Sequence, residues 1–480
     1  MSVIERYELA PGLEVSRVIT GLWQIADLER DGEPVDPNAG AAAMKPYVEA
    51  GLSTFDMADH YGSAEVIVGH YAGPRPIQAL TKWVPKPGPL DRATVRAAVQ
   101  TALDRLHTHR LDLLQFHCWN YWDPSYLDGL FHLAELKEEG LIRHLGMTNT
   151  DAAHMQLILQ SGIPVVSNQV CYSLVDRRPR GGLTEVCAEH PCSLLAYGTL
   201  AGGFLSDRWL NEPEPDRLET WSQMKYKRFI DAGGGWAGLQ RVLRAARKVA
   251  DRHGVTIANV ACRYVLDQPG VAAIIVGARL GRSAHVEDTA RLFDLELDAA
   301  DHERLDDAAD ALAPIPGDSG DEYRRPPFLT ASGDLSHHLD GFPPPFEVRP
   351  GSTGGQRVRS GTDWEALAGY CRAVKRGRMV FVSGTTATHG DRRIGGEDPT
   401  SQTHFAIDKI EGALRSVGGR LEDVVRTRIY VRDMADWEPV ARAHGARFGA
   451  IQPANTLVQA RLVGDGYRVE IEADAILPED

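Results

Sequence analysis

The chain has 480 residues, with 52 Lys and Arg against 66 Asp and Glu, a formal charge of −14. A nucleic-acid partner demands a basic face, so this balance argues against one. At 25% charged and 43% apolar the composition is that of a folded globular protein rather than a disordered one. No apolar run approaches the roughly 18 residues of a membrane span. The N-terminal MSVIERYELAPG carries acids and no apolar h-region. Six cysteines (Cys118, Cys171, Cys187, Cys192, Cys262 and Cys371) follow neither a disulfide nor a zinc spacing. The expectation is a cytoplasmic protein with no membrane partner and no metal site.

From the N-terminus to about residue 312 short apolar runs alternate with longer helical patterns. The candidate strands are VSRVITG (15–21), STFDMA (53–58), IQALTKW (77–83), LDLLQFH (111–117), HLGMT (144–148), VVSNQV (165–170), SLLAYG (193–198) and AAIIVGA (272–278). Between them lie amphipathic stretches such as 91–107, with Val95, Val99, Leu103 and Leu106 on one face. Near-continuous apolar strands alternating with helices predict a parallel sheet covered on both sides. Eight such units predict an α/β protein built as a (β/α)₈ TIM barrel over 1–315; a doubly wound sheet is the competing reading. Residues 316–350, dense in proline and glycine, read as a linker. Patterning resumes with strands at 378–384, 424–433, 454–462 and 467–477 and helices at 400–417 and 435–449. These predict a small α+β domain over 351–480 on a mostly antiparallel sheet.

In a barrel, polar residues that end strands converge on the C-terminal mouth, where catalytic groups sit. Asp56 ends the second strand with Tyr61 five residues on; Lys82 ends the third and His117 the fourth. Asn149, Gln169, Tyr197 and Gly277 stand at or just beyond the next four. A Lys82 ammonium beside Tyr61 would favour the phenolate, Asp56 would hold that ammonium, and His117 would orient a carbonyl. This set suits proton transfer coupled to carbonyl reduction, with the hydride drawn from a cofactor.

FDMADHYGSAE, LTKW, LDLLQFH, GLIRHLGMTN, SNQV, LLAYGTLAGGFL and IIVGAR resemble, in order, the successive signatures of the aldo-keto reductase superfamily over about residues 10–312. The resemblance implies a barrel binding NADP, with NAD possible, and a small-molecule carbonyl substrate. It implies a catalytic tetrad of Asp56, Tyr61, Lys82 and His117, with Tyr61 as general acid. Asn149 and Gln169 would hold the nicotinamide carboxamide beside Thr148, which stands where the family often has serine, and Tyr197 would stack on the ring. Gly198, Leu200 and Gly202 would approach the pyrophosphate. Gly277, Arg279, Arg282 and Glu287 would meet the adenosine end, where Asp288 replaces the common asparagine. Trp23 would line the cofactor pocket, with Trp119, Trp122 and residues 206–236 as further walls. The rival reading is a non-enzymatic nicotinamide-binding redox sensor or scaffold.

Three other motifs read as structure rather than chemistry. Gly233, Gly235 and Gly238 spell GxGxxG without a preceding strand. GDSGD (317–321) sits in the linker, and His337–His338 lacks further ligands at metal spacing.

The C-terminal GYCRAVKRGRMVFVSGTTA, GGRLEDVVRTRIYVRDMADW, QPANTL and YRVEIEADA resemble the reactive intermediate deaminase family over about 356–477. The resemblance implies a chorismate-mutase-like fold and a homotrimer with clefts between subunits. Family deaminases carry an arginine after Pro-Ala that grips a carboxylate; here Asn455 follows Pro453-Ala454, and an amide cannot replace a bidentate guanidinium. Glu470 matches the glutamate that positions water, or else it pairs with Arg372. The whole chain is expected to be an NAD(P)H-dependent oxidoreductase with a trimerising or imine-handling domain.

Overall fold

Eight parallel strands close on themselves in the order expected of a (β/α)₈ barrel: Val18–Gly21, Thr54–Asp56, Gln78–Trp83, Leu111–His117, Ile142–Thr148, Val165–Cys171, Ser193–Tyr197 and Val271–Gly277. The doubly wound alternative is thereby excluded. The computed structural model describes residues 3–29, 32–73, 76–282, 285–330 and 342–479, so the pair His337–His338 lies outside the described residues. The strands are buried on both faces, which is why they read as apolar runs rather than alternating ones. The expected first strand is in fact two. Leu13–Ser16 turns back on Arg6–Ala10 as an antiparallel hairpin, and only Val18–Gly21 joins the barrel. Leu9, Leu13 and Val15 of that hairpin pack with Ile19, Leu80, Leu113 and Leu195 in the barrel interior.

The seventh unit carries an extra helix, Trp221–Ala232, ahead of the long Gly235–His253. Gly233 ends the first and Gly235 begins the second, so the GxGxxG stretch joins two helices and follows no strand. The second domain is a seven-stranded sheet in the order Glu347–Pro350, Gln356–Arg359, Ala373–Arg376, Met379–Thr385, Val469–Ile476, Val424–Val431, Ala454–Gln459. It is antiparallel except for its last pair, and helices Pro399–Arg415 and Trp437–Phe448 accompany it.

Part of the stretch read as linker has a defined place. Glu347–Pro350 is an edge strand of the second sheet, and residues 317–325, including GDSGD, fold onto the barrel. Arg178 donates to the Asp318 carbonyl at 2.7 Å, and Arg324 donates to the Cys118 carbonyl at 2.7 Å. Acids and prolines signal exposure in a sequence, but here Glu322 pairs with the buried Arg178 at 2.9 Å.

Helix Pro399–Arg415 is buried on nearly every side from Ser401 to Ile410, because the sheet covers one face and the barrel the other. Phe405, Ala387 and Ile394 join the barrel's own apolar cluster. Polar contacts complete the seam. His154 of the barrel stacks on Tyr121 at 3.4 Å, receives Asp151 on Nδ1 at 2.7 Å and meets Asp408 of the second domain through Nε2 at 3.0 Å. Asp408 also accepts from Arg447 at 2.5 Å, and Ser161 accepts from the Gly395 amide at 2.9 Å. No described helix is long and apolar enough to cross a membrane.

Candidate active site

Because the strands are parallel, their C-terminal residues share one end of the barrel, and a cavity of about 1010 Å³ opens there. Asp56, Tyr61, Lys82 and His117 all line it. Lys82 Nζ donates to both Asp56 oxygens at 2.7 Å and to the Met57 carbonyl at 2.8 Å, and both side chains are nearly fully buried. The same ammonium lies 4.8 Å from the centre of the Tyr61 ring. His117 stacks edge-on to Trp119 at 4.5 Å and to Tyr323 at 5.6 Å. Trp23 packs edge-on to Tyr61 at 4.9 Å.

The electrostatics correct one expectation. Tyr61 is not pushed toward phenolate: burial, and then the negative charge of Asp56, hold its pKa well above the ordinary value of 10.0. Lys82 shifts down because burial outweighs the attraction of Asp56. The reason is that Asp56 neutralises the ammonium at contact distance, so little positive field is left for the phenol. At neutral pH the site therefore holds a neutral phenol, a proton donor.

The remaining sequence candidates divide in two. Thr148, Asn149, Gln169, Tyr197, Gly198, Leu200, Gly202, Gly277 and Arg279 line the cavity, as Trp23 does; Arg282 and Glu287 are not among its lining residues. Asn149 adopts a left-handed backbone, φ 57°, with its amide donating to the Gln169 carbonyl at 2.8 Å. Its Oδ1 accepts from the Tyr197 hydroxyl at 2.7 Å. Gln169 points its amide nitrogen inward, to Asp56 Oδ1 at 2.7 Å and Gln115 at 3.0 Å. Thr148 donates to the Gln169 carbonyl at 3.1 Å.

An extended dinucleotide fits this cavity on two observations. The turn after the seventh strand has positive φ at both Gly198 and Gly202. A Cβ there would lie 2.4 Å from the Tyr226 hydroxyl or 2.8 Å from the Ser222 carbonyl, so only glycine lets the backbone run this close beneath the cavity. At the far end Arg279 donates to Gln24 at 3.3 Å and faces Asp27 at 3.9 Å, with a head group available to the cavity.

Lys225 and Tyr226, which the sequence placed only within the wall range 206–236, line the cavity, and so does Tyr323, which sequence reasoning missed. Tyr323 sits on the short helix Asp321–Arg324 within the stretch read as linker. Tyr323 follows the turn glycine Gly320 in a stretch without periodicity, so no local pattern marks it.

In the second domain Arg372 is buried and spends its guanidinium on the carbonyls of Ser383 and Gly384, on Thr385 and on the Tyr370 hydroxyl. Glu470 lies against Gly384, where a Cβ would come within 2.1 Å of its carboxylate. Burial raises the pKa of Glu470, with Arg372 opposing. Asn455 donates to Thr427 at 2.9 Å, two strands across from the Glu470 strand and three register rows away. One chain thus brings Glu470 and Arg372 into one neighbourhood but not Asn455. Among the described residues no group of three or more His, Cys, Asp or Glu could hold a metal, and all six cysteines are free.

Comparison with known proteins agrees with this geometry. The family model described as the aldo/keto reductase family matches residues 17–310, and the one described as Endoribonuclease L-PSP matches residues 361–477. Protein tas of Escherichia coli is 30% identical over 311 residues, covering 55% of this chain and 86% of its own length. An uncharacterised Streptomyces coelicolor protein is 36% identical over 121 residues, covering 25% of this chain and 90% of its own. The structure of a glycerol dehydrogenase from Gluconobacter oxydans, 23% identical, superposes with a TM-score of 0.54 over 66% of this chain and 98% of its own. The two matched segments fall on the barrel and on the smaller domain. The chain belongs to the aldo/keto reductase family of NAD(P)H-dependent oxidoreductases acting on carbonyl compounds, with a reactive intermediate deaminase-type domain fused behind the barrel.

Proposed function

We propose that the barrel reduces a small carbonyl compound with NADPH and that Tyr61 delivers the proton. The observation that carries this reading is the neutral, buried Tyr61 phenol beside the closed Asp56–Lys82 pair at the mouth of a dinucleotide-sized cavity. A bound nicotinamide supplies the hydride. Tyr61 donates its hydroxyl proton to the developing alkoxide; Lys82, over the ring face, stabilises the phenolate left behind. Asp56 keeps Lys82 charged and in place, and His117 orients the carbonyl oxygen. Arg279, facing the adenosine end of the cavity, favours a 2′-phosphate and hence NADP over NAD. Tyr61→Phe is expected to lower turnover by roughly 100-fold or more while cofactor affinity, read by fluorescence quenching, stays within about twofold. Normal turnover in that variant overturns the assignment.

The second domain is proposed to assemble three chains. The barrel already covers helix Pro399–Arg415, whereas Met379, Phe381, Val425, Val458 and Ile476 of the sheet remain 41–46% exposed. Exposed aliphatic and aromatic residues on one sheet call for a partner surface, and threefold association of the sheets supplies it. A chemical role rests on Glu470 alone: its raised pKa suits a group that takes a proton from water as it adds to an imine lacking a carboxylate. The released carbonyl would then meet the barrel at a local concentration of order millimolar. Glu470→Ala that leaves both trimer and turnover on the native substrate unchanged would reduce the domain to a scaffold.

A further inference from the structure

The cavity holds a cation that the reading above does not use. Lys225 Nζ lies 2.6 Å from the Tyr323 hydroxyl, and 4.7 Å from the centres of both the Tyr323 and Tyr197 rings. Among the described residues no carboxylate comes within 4 Å of it. Glu322, the acid whose charge acts on Lys225, is already engaged by Arg178 at 2.9 Å, by the Gly320 amide at 2.9 Å and by the Tyr197 hydroxyl at 3.3 Å. An ammonium withdrawn from water onto aromatic faces recovers only part of its hydration. Such a group is poised for an anion.

The Tyr323 wall is built to stay where it is. Arg178 holds both Asp318 and Glu322, and Arg324 holds the Cys118 carbonyl while stacking on Tyr121 at 4.6 Å. Gly320, at φ 88°, brings the turn so close that a Cβ would sit 2.0 Å from the Asn149 carbonyl. The other edge of Tyr323 meets His117. One ring therefore separates the imidazole that would orient a carbonyl from the free ammonium, and a chain of a few carbons spans that distance.

We infer that Lys225 and Tyr323 form a carboxylate-binding subsite, so that the substrate is a short carbonyl compound carrying a carboxylate a few carbons from its reacting carbon. One ammonium and one phenol match a monoanion; a phosphate dianion calls for more donors and charge. The inference rests on the barrel being a carbonyl reductase, and the test separates the two. Kinetics are measured on the full chain with a four-carbon aldehyde acid and with butanal, for wild type, Lys225→Met and Tyr323→Phe. The expected result is that wild type prefers the aldehyde acid and that Lys225→Met lowers this preference by roughly 10-fold or more, mostly through KM, with Tyr323→Phe moving the same way by less. Equal losses on both substrates, or a weakened NADPH affinity in Lys225→Met, overturn the subsite in favour of a structural or cofactor role. Binding of succinate to the NADPH-loaded protein, read by nucleotide fluorescence, needs no turnover: saturable binding lost in Lys225→Met upholds the subsite even if no carbonyl is reduced, and absence of binding to wild type overturns it.

Discussion

Asp408→Asn removes one charge from the seam between the two domains and nothing else. Asp408 is 1% exposed and is shared by His154 of the barrel and Arg447 of the second domain. Stripping one partner from a buried ion pair costs about 3–5 kcal/mol when the survivor is left alone. Neither survivor is alone here: Asp151 still holds the other ring nitrogen of His154, and Glu411 still holds Arg447 at 3.0 Å. The expected loss is therefore smaller, about 2 kcal/mol. The wild-type seam should also depend on pH. Burial alone would lower the His154 pKa, but Asp151 and Asp408 overcome it and carry the group from 6.5 up to about 9. A pKa raised on folding means that the protonated imidazole stabilises the docked state fully below 6.5, and that this contribution is lost as pH rises through 9. Hydrogen exchange of Ala152–Gln160 and Pro399–Arg415, corrected for the intrinsic rate at each pH, reads the opening directly. Opening should be roughly 30-fold more frequent in Asp408→Asn at pH 7, and in wild type should increase from pH 6.5 to 9. Unchanged protection in the variant, or a flat wild-type profile, would refute the claim that this network holds the domains together.

Gly320→Ala combines a left-handed backbone with a Cβ overlapping the Asn149 carbonyl, so it should lift residues 318–325 off the cavity; steady-state kinetics should show kcat/KM down by about 10-fold. Arg279→Ala should raise the Kd for NADPH by about 10-fold and that for NADH by much less, and equal changes in fluorescence titrations would remove the argument for NADP. Phe381→Glu, on the open face of the sheet, should convert a trimer to monomers in mass photometry; a wild-type monomer would end the association proposal outright.

The barrel was legible because parallel strands announce themselves twice, by apolar runs and by the polar residue that closes each. Asp56, Lys82 and His117 end strands that the sequence places almost to the residue. Tyr61 could be placed with them, but its protonation could not, because the sequence shows that Lys82 is near and not that Asp56 grips it with both oxygens. Arg282 and Glu287 were legible as neighbours of Arg279 in the chain, yet chain proximity beyond the last strand does not decide which side chains face the cavity. The connector was the largest misreading. Prolines and acids disfavour regular structure, and residues 317–325 have little of it; what fixes them is pairing with Arg178 and Cys118, residues some 140 and 200 positions earlier. No local pattern encodes such partners.

The seam and the cavity are physically continuous, and this is where the fusion acquires a structural meaning apart from local concentration. Asp151 caps helix Ala152–Gln160 by accepting from the His154 amide at 2.8 Å, and Asn149, two residues earlier, lines the cavity. His154 stacks on Tyr121, Tyr121 receives the Arg324 guanidinium on its ring, and Arg324 adjoins Tyr323. The second domain therefore presses, through Asp408, on both the loop that carries Asn149 and the segment that carries Tyr323. Helix Pro399–Arg415, which on an isolated small domain would face water, is here spent on buttressing the walls of a neighbour's cavity. The association proposed for the second domain would use the exposed sheet face instead, and so would not compete with helix Pro399–Arg415 for the same surface.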